Sequence, residues 1–153
     1  MSRAFVKETD DQSVDLPDRP ISPHPNLVTP EGLVAIEREI GRFSAAHRAA
    51  VDKHDKAAIA AAQRELRYWS ARRATAKRVE PPADRTHIHF GMRVVVRRED
   101  GRTQAFRIVG EDEADPSRGT LSHVSPLARA VMGRSVGEVV TVLGREAEIL
   151  EIH

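Results

Sequence analysis

The stretch Thr103–Gly133, TQAFRIVGEDEADPSRGTLSHVSPLARAVMG, decides how this chain is read. Its opening, Thr103 to Val109, is rich in β-branched and aromatic residues and reads as a strand. Gly119-Thr120-Leu121-Ser122-His123-Val124 reads as another. Ser125-Pro126 then starts a short helix: the serine can cap, the proline suits the first helical position, and Gly133 ends the run. Leu127, Ala130 and Val131 form its apolar side, which a sheet would cover.

Working outward, His89–Arg97 is a β-rich run that meets Thr103–Val109 across Asp100-Gly101, a hairpin signal. Downstream, Val139–Leu143 and Ala147–Ile152 pair around Gly144-Arg145. Residues 86–153 are therefore expected to form a small antiparallel β-sheet domain with one short helix. Phe90 and Phe106 occupy strand positions that should be core.

Upstream the period changes. Thr29-Pro30-Glu31 is a helix start: a cap, a proline at the first position, and an acid at the positive end of the dipole. Leu33, Ile36, Ile40 and Phe43 recur at three- and four-residue steps, continued by Ala46 and Ala50. The pattern breaks at Asp52-Lys53-His54-Asp55, where Asp52 or Asp55 can cap a second helix. That helix carries Ile59, Ala62, Leu66, Trp69 and Ala76 and stops before Pro81-Pro82. The short connection makes the pair antiparallel, and the narrow stripes resemble a coiled-coil seam. Helices of about 22 residues would project roughly 30 Å. The fold class is thus α+β, with an N-terminal helical hairpin at residues 29–80.

Residues 1–28 read as a flexible, acidic and proline-rich arm. It carries Glu8, Asp10, Asp11, Asp15 and Asp18, then Pro17, Pro20, Pro23 and Pro25. Ala4-Phe5-Val6 or Arg19-Pro20-Ile21 could instead anchor it to the body or a partner.

Composition sets limits. The 24 basic and 23 acidic residues nearly balance, so net charge points to neither a nucleic-acid coat nor an acidic tail. Cysteine is absent, which excludes disulfides and thiolate metal sites. No apolar run has membrane-helix or signal-peptide length, so a cytoplasmic location is expected. The second helix is strongly basic through Arg64, Arg67, Arg72, Arg73, Lys77 and Arg78. That face is either solvated and ion-paired or a surface for an acidic partner, nucleic acid included.

The last region resembles the C-terminal domain of the GreA/GreB transcript-cleavage factors. The resemblance rests on Phe106-Arg107-Ile108-Val109-Gly110, Asp112-Glu113, Asp115-Pro116, Ser125-Pro126-Leu127-Ala128-Arg129-Ala130, Met132-Gly133 and Val136-Gly137-Glu138. Thr29-Pro30-Glu31-Gly32 with Leu33, Ile36 and Glu39 resembles the opening of the family's hairpin. The resemblance implies an FKBP-like domain that holds the rim of the RNA polymerase secondary channel, and a coiled coil that enters it. It also implies a non-enzymatic regulator of elongation without a cofactor of its own, any Mg²⁺ belonging to the polymerase, while the self-packed hairpin points to a monomer. For the polymerase contact it points to Asp112, Glu113, Ser125, Pro126 and Arg129.

This chain departs from the family at the hairpin tip. Cleavage factors carry an acidic loop there, of the form Gly-Asp-(Leu/Arg)-Ser-Glu-Asn-Ala-Glu-Tyr, that helps hold a catalytic Mg²⁺. Here the hairpin is shorter and its tip is Asp52-Lys53-His54-Asp55-Lys56. Asp52 and Asp55 read either as caps and solvated turn residues or as low-ranking cleavage carboxylates, with lysines weakening any metal site. The expectation is weak or no cleavage stimulation. A true cleavage factor, or an interaction module like the nucleoside diphosphate kinase regulators sharing this C-terminal domain, is the alternative.

Other constellations are thin. His87-x-His89 has metal-like spacing, but His123 and His153 would have to converge on it, so no metal is expected. No nucleophile elbow surrounds Ser122, His123 or Ser125, and no Walker-type loop is present. Prolyl isomerase chemistry needs more aromatic lining than Phe90 and Phe106 supply.

Overall fold

The computed structural model describes residues 16–153. Helix α1, Pro30–Asp52, starts where Thr29 Oγ1 accepts from the amide of Gly32 at 3.0 Å. Lys53 closes it, and His54 takes a left-handed φ of 50°, which reverses the chain in a tight turn. Asp55 then caps α2, Lys56–Thr75, its Oδ1 accepting from Ala58 at 3.1 Å. Ile36, Ala50 and Ala62 are buried in the seam. Small alanines let the helices approach closely but bury little area.

Two short strands close the base of the hairpin. β1, Leu27–Val28, pairs in parallel with β2, Lys77–Arg78, just beyond α2. The sheet follows: β3, Arg93–Arg98; β4, Thr103–Val109; β5, Thr120–Ser122; β6, Val139–Val142; and β7, Arg145–Ile152. Spatial order is β5-β4-β3-β7-β6. Helix α3, Pro126–Val131, is capped by Ser125 and buries Leu127, Ala128 and Val131 against the sheet. Alternation sorts the faces: Val94, Val96, Phe106, Ile108, Val140, Val142, Ala147 and Ile149 point into the core, with Phe90 and Ile88 beside them.

One strand pair departs from the expected antiparallel sheet. β5 runs parallel to β4, with Ile108 opposite Leu121, so the sheet is mixed. The segment between them is no hairpin turn. It doubles back through one turn of 3-10 helix at Pro116–Arg118, capped by Asp115 and ended by Gly119 at φ 77°. Over residues 16–28 the flexible-arm reading gives way to its alternative, an anchor onto the body through Arg19. Residues 1–15 lie outside the described residues, Ala4-Phe5-Val6 among them. Residues 16–28 run along α2 as a strap, and Val28 and Thr29 are buried.

Candidate functional site: the hairpin base, its strap and its tip

Asp112 and Glu113 leave β4 just after Gly110 and turn inward. Glu113 Oε2 accepts from the amide of Thr29 at 2.9 Å and from that of Gly110 at 3.0 Å. The Thr29 hydroxyl donates to its other oxygen. A carboxylate from the sheet thus sits at the N-terminus of α1, where the helix dipole favours it. The glycines make room: a Cβ on Gly32 would lie 2.0 Å from the Glu113 carboxyl carbon, and one on Gly110 2.3 Å from the carbonyl oxygen of Leu27.

Asp112 reaches the other helix. Its Oδ2 accepts from Arg72 Nε at 2.6 Å, and the Tyr68 hydroxyl donates to Oδ1. Arg72 Nη2 donates to Asn26 Oδ1 at 2.8 Å, and Asn26 Nδ2 returns a bond to the Arg72 carbonyl at 2.7 Å. The Arg72 side chain is 2% exposed and that of Asp112 8%. Burial, then the bond to Asp112, pushes the Tyr68 phenol up to about 12, so it stays a donor at neutral pH. Strap, both helices and sheet therefore meet in one clasp of hydrogen-bonded charges.

The strap continues along α2. Arg19 pairs with Glu65 at 2.7 Å, and its guanidinium carbon lies 3.7 Å from the centre of the Tyr68 ring. Arg64 Nε donates to the Pro17 carbonyl at 2.8 Å, and Arg67 Nε to Asp18 Oδ1 at 2.5 Å. Arg73 pairs with Glu37 at 3.0 Å on the exposed surface.

The structure sorts the site residues expected from sequence. Asp112 and Glu113 are not on an exposed loop surface, because their carboxylates are engaged by the hairpin. Pro126 and Arg129 are exposed, while Ser125 is half-buried and caps α3. Of Arg64, Arg67, Arg72 and Arg73, the arginines expected for any nucleic-acid contact, Arg72 is removed from that role by burial. At the tip, Asp52, Lys53, His54, Asp55 and Lys56 are all exposed, and Asp55 serves as the α2 cap. The histidines do not converge: His123 packs edge-on to Phe90, His153 pairs with Glu151, and His87 and His89 are exposed. Among the described residues, no three His, Asp or Glu side chains gather as a metal site would need.

Sequence reasoning missed Asn26, Tyr68 and the second role of Thr29. One signal was present: Gly32 in the first turn of a helix weakens it unless something must come close.

A helical hairpin carried on a small mixed-sheet domain, clasped at its base and solvated at its tip, defines the class of protein by its architecture. The family model described as "Transcription elongation factor, GreA/GreB, C-term" matches residues 83–153. GreB of Yersinia pestis is 31% identical over 151 residues, spanning 84% of this chain and 88% of the relative. GreB of Pseudomonas aeruginosa is 32% identical over 135 residues, spanning 76% and 80%. The crystal structure of the GreA factor homolog Gfh1 of Thermus thermophilus superposes with a TM-score of 0.41 at 20% identity, over 85% of this chain and 99% of that one. The chain belongs to the GreA/GreB family of transcription elongation factors.

Proposed function

We propose that this chain is an elongation regulator that docks on RNA polymerase at the secondary channel and stimulates transcript cleavage weakly or not at all. The tip carries the second half of that reading. Of its two acids, Asp55 is committed to the Ala58 amide, Lys53 and Lys56 flank it, and no third carboxylate stands nearby in the sequence. A magnesium ion held by such a tip would meet positive charge where it needs oxygen ligands. The docking half rests on family membership and on an intact β domain, whose exposed Pro126 and Arg129 are the residues to expect at the polymerase. Such a factor would act in the cytoplasm as a monomer, with no cofactor of its own.

The test uses a stalled, backtracked elongation complex, Mg²⁺ and 3′-labelled RNA. The expected result is no RNA shortening above the polymerase-only rate, with dose-dependent inhibition of a genuine cleavage factor. Shortening that disappears in an Asp52→Ala/Asp55→Ala variant with retained binding would replace this reading with that of a cleavage factor. No effect on either assay would sink the docking reading.

A further inference from the structure

The strap ends in two very different ways. Its C-terminal end is locked: Asn26, Val28 and Thr29 are buried, and Asn26 holds the Arg72 carbonyl. Its N-terminal end lies on the surface. The Asp18 side chain is 71% exposed and that of its partner Arg67 46% exposed. Leu16 and Pro17 offer carbonyl oxygens to Arg67 Nη2 at 3.4 Å and Arg64 Nε at 2.8 Å, and Leu16 is half-buried beside Phe43 and Ala62. Arg19, further in, holds Glu65 and covers Tyr68.

What Arg64 and Arg67 receive from the strap is a row of oxygens, one of them anionic. That is the chemistry a phosphodiester backbone offers to guanidinium groups. We propose that residues 16–19 are an internal occupant of the arginine face of α2, so that this face takes a single-stranded nucleic-acid backbone only when the strap lifts. The proposal does not depend on the polymerase reading, since competitor and surface belong to the same chain. An exposed ion pair is weak by itself. Tethering turns it into a competitor at an effective concentration near the millimolar range. Lifting the outer end leaves the clasp intact, because Asn26 and Thr29 anchor the chain beyond Pro20, Pro23 and Pro25.

The experiment measures binding of the full chain, without polymerase, to a fluorescent oligouridylate across a salt series. Asp18→Asn removes the anionic oxygen, and Arg19→Ala releases the anchor behind it. Each is expected to tighten binding about three- to ten-fold at low salt. Binding should weaken as salt rises. In the Arg64→Ala/Arg67→Ala background the gain should vanish. Glu151→Gln, which removes an exposed acid on β7, controls for net charge and should give no gain. Unchanged affinity in both strap variants overturns the proposal, as does a gain that survives loss of the two arginines. A polyglutamate peptide that displaces the oligonucleotide equally well would reassign the face to an acidic protein partner and overturn it too.

Discussion

Arg72 sits in a helix full of solvated arginines, yet its surroundings make it a structural residue. Its guanidinium joins Asp112 and Asn26 in a pocket sealed from water. Arg72→Ala would leave the Asp112 carboxylate buried without its countercharge, which costs about 3–5 kcal/mol. Arg72→Lys should recover little, because an ammonium lacks the fork that spans both partners. Urea unfolding of the two variants checks this. Gly32 carries a prediction of unusual sign. Alanine for glycine inside a helix ordinarily stabilises by about 1 kcal/mol. Here the methyl would land on the Glu113 carboxylate and expel it, stranding the amides of Thr29 and Gly110. Gly32→Ala should therefore destabilise, by about 1–3 kcal/mol for the unmet donors. His123 adds a pH effect. Burial holds its imidazole below the usual histidine value, so the folded state prefers it neutral. Its contribution is complete above about pH 6.5, the unfolded value, and declines as pH falls from there towards the folded value. Between pH 7.5 and 5, the parent should lose more stability than His123→Gln, read as the difference between their urea midpoints.

At the scale of elements, the caps decide where the hairpin turns. Asp55→Ala should cost about 1 kcal/mol and let the first turn of α2 fray, visible as faster amide exchange at Ala57, Ala58 and Ile59. These elements were legible in the sequence because their signals are local. Thr29-Pro30, Asp55 and Ser125-Pro126 each name a helix start by bonds made within three residues. The strands were legible because alternation and Asp100-Gly101 act over a few residues. What escaped was whatever depends on meeting a distant partner. The direction of β5 is decided by how residues 110–119 double back, which alternation does not encode. Asp112 and Glu113 look like loop acids until Arg72 and Thr29, some 40 and 84 positions away, arrive to donate to them. Arg64, Arg67, Arg72 and Arg73 read as one basic face, although the fold buries one, pairs one with α1 and bonds two to the strap.

For the whole molecule, the clasp sets how hairpin and sheet share stability. The sheet has a continuous core of large side chains, including Phe106, Ile108, Ile149, Val94 and Val131. The hairpin seam fully buries only Ile36 and two alanines, with Ile40, Phe43, Ile59, Leu66 and Trp69 half-buried, a thinner core than the sheet's. Part of its stability must come through the base, from Glu113 at the start of α1 and Asp112 on Arg72 near the end of α2. Calorimetry of the parent chain should accordingly show one transition, with equal calorimetric and van't Hoff enthalpies. Asp112→Asn/Glu113→Gln keeps the shapes but removes both charges. The hairpin should then melt first and separately, with helical signal lost below the temperature at which the β core unfolds. A double variant that still melts in one step would mean that the hairpin stands on its seam alone, and the clasp would then orient it without stabilising it.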